Sequence, residues 1–422
     1  PPSPWFGRSF RTAGGASETG ESNRQIKERS ITDPTDRSRM LSGKEKKERE
    51  TAFILVEDRR GLESAARALK KEPRLGVDLE ADSLFHYREQ VCLMQISTAS
   101  QNLVVDPLAV GGLSALVPVF ADHRVQKVFH GADNDIRSLH RDFGIEVNGL
   151  FDTQIAARFV GYRETGLAGL LKERLGVLVD KKFQKKDWSQ RPLAPEMLEY
   201  AVQDTSHLLA LHRLLEDELI ARKRLIWVRE ECELLSRVRE DAPENGPLFL
   251  KFKGARHLDN RGLAVLESLL QWRDGRARER NVPPFKVLGN RPIMEMAMKR
   301  PRNEAEVAAL SELSTGLKKR LGNALLDRVQ KATRIPESEL PTYPKNRRQK
   351  NDASVSKKIK KLKAWRTSRA REMGIDPSLV CTNAQIQAVA LCSPRKEEDL
   401  AHIKGLREWQ RDLFGGEICS LL

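Results

Sequence analysis

The sequence predicts an α/β domain, a mixed sheet flanked by helices, followed by two all-α helical bundles. Two patterns support this. From Thr51 to about residue 218, short apolar runs alternate with amphipathic stretches of helical period. Beyond residue 256, one helical pattern occurs twice at a gapless offset of 93 residues, Trp272-Arg273 recurring as Trp365-Arg366. Composition adds a functional bound. Among 422 residues, 74 Lys and Arg outnumber 59 Asp and Glu, a formal charge of +15 that suits a partner with a phosphate backbone.

Residues 1–50 are rich in Gly, Ser, Arg, Glu and Lys, lack apolar periodicity, and are expected to form a disordered extension. FILVE from Phe53 reads as a strand, GLESAARALKKE from Gly61 as an amphipathic helix, and RLGVDLEA from Arg74 as a buried strand. VCLMQIST and NLVVDP follow as two more strands, and VQKVFHG reads as another strand before the helix NDIRSLHRDFG. Residues 219–256 form a charged helical linker broken by APENGP. The first repeat spans 257–335 and the second 355–422, joined by a basic, Pro-containing linker at 336–354. ESELPTYP within that linker reads as a break at which the chain can be cut cleanly.

Five cysteines without a C-x-x-C pair argue against a disulfide framework or zinc site and favour a reducing compartment. No apolar stretch reaches the roughly 18 residues of a membrane span. The expected location is the cytoplasm, with no membrane partner; protein partners are left unassigned.

Asp78 and Glu80 are two apart on one strand and so share a face. Tyr200 and Asp204, four apart in LEYAVQDTSHLL, share a helix face. With Asp135 in FHGADNDIRSL they form a set of hard oxygen donors suited to Mg²⁺ or Mn²⁺. Two such ions about 4 Å apart serve in-line attack on a phosphodiester. Asp133 and Asp82 are nearby rivals, and Asp152 in FDTQIAA suits a helix cap.

The order D-x-E, D, Y-x-x-x-D resembles the DEDD 3′→5′ exonucleases in their tyrosine branch. VCLMQIS, KVFHGADNDI, GLFDTQIAARFVG and KKDWSQRPLAPEMLEYAVQD narrow the resemblance, over about residues 51–218, to the ribonuclease D family. The repeats resemble the HRDC module of helicases and ribonuclease D. This implies a ribonuclease-H-like nuclease fold and removal of nucleoside 5′-monophosphates from RNA 3′ ends, with tRNA precursors as the expected substrate. It further implies two Mg²⁺ (Mn²⁺ as the alternative) held by Asp78, Glu80, Asp135 and Asp204, with Tyr200 orienting the attacking water. Family spacing prefers Asp135 to Asp133.

For substrate contact, His130, Lys182, Lys185 and Trp188 are candidates, the last three because cations interleaved with aromatics suit single-stranded RNA. Phe85 and Tyr87 are candidates for stacking on terminal bases. The competing reading makes Trp188 core packing and the lysines a solvated loop. Rival functions are a DNA repair exonuclease sharing these motifs and a non-catalytic HRDC-based RNA scaffold.

Overall fold

A computed structural model describes residues 52–240, 246–344 and 352–422. The expected N-terminal extension and the run from Lys345 to Asn351 lie outside the described residues. The chain divides into two compact units. One comprises residues up to Ala81, Val91–Glu240 and Asp352–Leu422; the other comprises Asp82–Gln90 and Asp241–Asn351.

The first unit is built on a six-stranded mixed sheet. β1 (Phe53–Val56), β2 (Arg74–Ala81), β3 (Val91–Ser97), β4 (Asn102–Val105), β5 (Gln126–Phe129) and β6 (Leu150–Asp152) lie in the order β1-β4-β3-β2-β5-β6. β2 pairs antiparallel with β3 and parallel with β5, so the strand carrying Asp78 and Glu80 is central. Every residue of β3 is buried, which explains why VCLMQIS reads as a continuous run rather than an alternation. β6 was not anticipated, because three residues are too few to display a period.

Helices cover the sheet: α1 (Arg59–Leu69), α2 (Asp133–Phe143), α3 (Thr153–Val160), α4 (Leu167–Leu175), α5 (Pro195–Ser206), α6 (Leu208–Ala221) and α7 (Leu225–Ser236). Asp58 caps α1 by accepting from Gly61 N. Gly76 on β2 sets how closely the α5–α6 junction approaches. A Cβ there would stand 3.1 Å from Thr205 O and 3.3 Å from Leu208 Cβ, so a larger residue would push Asp204 away from β2.

The second repeat completes this unit, with α11 (Ala353–Met373), α12 (Asn383–Cys392) and α13 (Glu408–Ser420). Its buried Leu362, Val389, Trp409 and Phe414 belong to the same apolar core as the sheet. Trp409 stacks on Trp227 of α7 with centroids 4.7 Å apart, and meets Phe159 of α3 edge-on at 5.6 Å. Arg407 donates two hydrogen bonds to Glu231, at 2.9 and 3.1 Å, and Glu230 accepts from Glu408 N and Trp409 N. The expectation of a clean cut at ESELPTYP therefore fails. Sequence-local Pro signals cannot reveal that the following helices return to an earlier core.

The second unit holds the first repeat, with α8 (Asn260–Glu279), α9 (Asn290–Lys299) and α10 (Thr315–Thr333) around its own core of Leu266, Leu269, Ile293, Met296 and Leu325. The repeated residues serve one purpose in both copies. Arg273 donates to Leu288 O and Asn290 Oδ1, and Arg366 donates equivalently to Cys381 O and Asn383 Oδ1. The shared Arg and Asn are thus a helix-to-turn clamp, which accounts for their identity at the constant offset.

Candidate active site

Three of the anticipated carboxylates converge in the first unit. Asp78 and Glu80 from β2 and Asp204 from α5 each offer an oxygen, and these atoms lie within 4.8 Å of one another. The α-helical period brings Tyr200 to the same face as Asp204. Asp135 enters from the first turn of α2, close enough for its charge to act on Asp78 and Glu80. Asp152, at the end of β6, holds that approach. It accepts from Gly131 N and Ala132 N in the loop before α2, and from Gln154 N and Ile155 N at the start of α3.

Without a cation these carboxyls repel one another. Burial, then the charges of Asp204 and Asp135, push Glu80 up to about 9. Burial and Asp135, Asp204 and Glu80 hold Asp78 well above the usual carboxylate range. Burial raises Asp204 to about 7; burial and Asp152 do the same for Asp135. A donor set of hard oxygens that resists ionisation when empty-handed fits a divalent cation, whose charge reverses the penalty. Burial, then Asp204, Glu80 and Asp78, raise the Tyr200 phenol, so its proton stays in place at neutral pH.

The rivals are committed elsewhere. Asp133 is exposed and pairs with Arg137 at 2.8 Å. Asp82, wholly buried in the second unit, accepts from Gln90 N and Nε2. Asp152 caps α3, as its position suggested.

The anticipated substrate residues fare unevenly. His130 lies beside the Asp152-held loop, its Nδ1 2.9 Å from Thr153 Oγ1, and burial lowers its pKa. Lys185 is exposed, and the Lys182 ammonium sits 5.2 Å over the Phe183 ring. Trp188 departs from the stacking expectation: it is 1% exposed and packs beside Tyr200, their centroids 6.2 Å apart, so no ring face is open to a base. Phe85 and Tyr87 are half-buried. Within the second unit, Lys286 Nζ lies 4.1 Å over Phe85, while Tyr87 donates to Asp274 and carries Arg278 above its ring.

Two supporting residues escaped the sequence reading. Arg191 donates to both oxygens of Asp106, at 2.5 and 2.8 Å, and to Cys92 O and Trp188 O, pinning the segment before α5 to β3 and the end of β4. Gln95 lies on β3 directly opposite Asp78. Its signal was a lone amide inside an otherwise apolar strand.

Comparison with known proteins agrees with this geometry. Residues 53–220 match the 3′-5′ exonuclease family, and residues 262–329 and 357–422 match the HRDC domain. The chain is 31% identical to the ribonuclease D of Nitrobacter hamburgensis, over 85% of this chain and 92% of that protein. The crystal structure of Escherichia coli RNase D superposes with a TM-score of 0.65 at 26% identity, covering 88% of this chain and 98% of that one. The catalytic core of RRP6 from Trypanosoma brucei gives 0.58 at 34% identity, over 66% of this chain and 79% of that one. A nuclease sheet bearing converged carboxylates, two HRDC repeats and this likeness over nearly the full length place the chain in the ribonuclease D family of 3′→5′ exoribonucleases.

Proposed function

We propose that Asp78, Glu80, Asp135 and Asp204 hold two Mg²⁺ ions, and that the enzyme trims 3′ ends of structured RNA, tRNA precursors foremost. The convergence of three carboxylates to within 4.8 Å carries this reading. A scaffold that only bound RNA would gain nothing from burying mutually repelling acids. The E. coli neighbour is described as an exoribonuclease involved in structured RNA processing, which supports the substrate class. Five free cysteines support a reducing compartment, and we assign the cytoplasm.

In this reading water attacks the phosphorus of the last phosphodiester, the bond to the 3′-oxygen breaks, and a nucleoside 5′-monophosphate leaves. Divalent ions held by Asp78, Glu80, Asp135 and Asp204 would supply Lewis-acid chemistry to the water and the departing oxygen. Tyr200 keeps its proton, so its hydroxyl orients the water by hydrogen bonding rather than acting as the base. Asp152 keeps the loop leading to Asp135 in register with β2.

The test is Asp78→Asn with three substrates: 3′-extended tRNA, unstructured RNA and single-stranded DNA. Wild type should degrade the RNAs in preference to DNA, and the variant should lose turnover while binding RNA almost unchanged, because phosphate contacts by Lys and Arg dominate affinity. Substantial turnover by the variant at saturating RNA and Mg²⁺ would overturn the assignment. Preference for DNA would overturn the substrate.

A further inference from the structure

β2 and β3 are paired so that Gly76 faces Ser97, Asp78 faces Gln95 and Glu80 faces Leu93. Residues directly opposed across an antiparallel pair project to the same side of the sheet. That side is the one α5 covers. Ser97 Oγ donates to Thr205 Oγ1 at 2.7 Å, and Leu93 packs in one apolar cluster with Tyr200, Ala201 and Val202. Gln95 therefore lies between these two contacts, under α5 and beside Asp78, with side-chain Cβ atoms of such a pair about 5 Å apart.

Gln95 is 0% exposed, and neither its Oε1 nor its Nε2 has a hydrogen-bond partner among the described residues. Burying both ends of an amide without partners is costly, and an apolar residue of like size would remove that cost. The expense falls at one position in β3, the position facing Asp78. Ser97, the next polar side chain on that side of the strand, is satisfied twice, by Asn102 and Thr205.

We infer that Gln95 is a positioning residue for the cation site, its amide N–H donating to the Asp78 carboxylate in the cation-loaded enzyme. This rests on the two-ion reading above. An amide suits the place because it donates without adding charge. A Lys there would compete with the cations for the carboxylates, and a Glu would add to the repulsion. Hydrogen bonds of this kind orient a ligand carboxylate and sharpen its affinity for metal.

The experiment uses full-length protein without RNA. Mn²⁺ binding is followed by electron paramagnetic resonance for wild type, Asp78→Asn and Gln95→Met, with thermal unfolding and single-turnover kinetics alongside. Gln95→Met keeps the volume and removes both amide atoms. It should unfold at or above the wild-type temperature, bind Mn²⁺ about 10- to 100-fold more weakly, and lose turnover with RNA KM unchanged. Should Gln95→Met fail to fold, the wild-type protein labelled with ¹⁵N-glutamine decides. The Gln95 side-chain amide resonance, assigned from Gln95→Asn, should move downfield with Mg²⁺ and stay put in Asp78→Asn. Mn²⁺ affinity and turnover within twofold of wild type in folded Gln95→Met, or an amide resonance indifferent to Mg²⁺, would overturn the inference. Absence of Mn²⁺ binding to wild type would instead overturn the two-ion reading itself.

Discussion

Replacing Glu80 by Gln should stabilise the cation-free protein while destroying its activity. The folded site holds the Glu80 carboxyl at about 9 against an ordinary value near 4.5. A raised carboxyl pKa means that the folded state binds the extra proton. Its favourable environment is complete below pH 4.5, and stability is lost as pH climbs from 4.5 towards 9. At pH 7 the deficit is the proton that the unfolded chain has released and the folded chain keeps, about 2.5 pH units at 1.36 kcal/mol each, or roughly 3 kcal/mol. At pH 5 it is below about 1 kcal/mol. Glu80→Gln removes this linkage. For a unit of this size about 1 kcal/mol moves Tm by about 2–4 °C. The variant should therefore melt about 10 °C above wild type at pH 7 in EDTA, and only about 2 °C above it at pH 5. Thermal circular dichroism at constant ionic strength reads both gaps, and adding Mg²⁺ should close the pH 7 gap by raising wild type alone. A gap equal at the two pH values, or a variant that melts lower at pH 7, would refute the account of mutual repulsion.

Tyr200→Phe should lower single-turnover rate about 10- to 1,000-fold with KM unchanged, since only a hydroxyl aimed at the transition state is lost; an unaltered rate would make Tyr200 a packing residue. Trp409→Ala should cost about 3–5 kcal/mol and lower the melting temperature of the first unit, because a ring 4% exposed leaves a void between Trp227 and Phe159. Differential scanning calorimetry checks this, and an unchanged melting profile would mean that the second repeat does not contribute to that core. His212, 1% exposed and edge-on to Phe151, is lowered to about 4, mainly by burial. Its neutral folded form costs stability as pH falls from 6.5 through 4, so His212→Gln should flatten acid-induced loss over that window, read by urea melts at pH 7 and 4.5.

Much of the site was legible because its residues sit at periodic spacings. Asp78 and Glu80 two apart, and Tyr200 and Asp204 four apart, encode shared faces directly. Five strands were read from apolar runs, but their order was not, since adjacency in the sheet depends on crossovers rather than composition. Trp188 misled for a physical reason. An aromatic ring among lysines looks alike in sequence whether it faces solvent, as binding requires, or is enclosed like Trp188. Gln95 was hidden by the opposite effect: one amide barely alters the apolar reading of β3, and only register with Asp78 gives it meaning.

The first unit is interrupted in sequence, and its last helices follow the whole of the second. Synthesis therefore passes all four carboxylates proposed to hold metal by Asp204, long before the partner of Trp227 exists. At roughly 5–20 residues per second, Trp409 trails Trp227 by about 10–40 s on the ribosome. Until Trp409 arrives, the face of Trp227 on which it stacks lacks that cover. A fragment ending before Trp409 would carry these carboxylates without the ring that stacks on Trp227. Such a fragment should therefore differ from a chain that carries residues 352–422 in thermal stability rather than in its set of carboxylates.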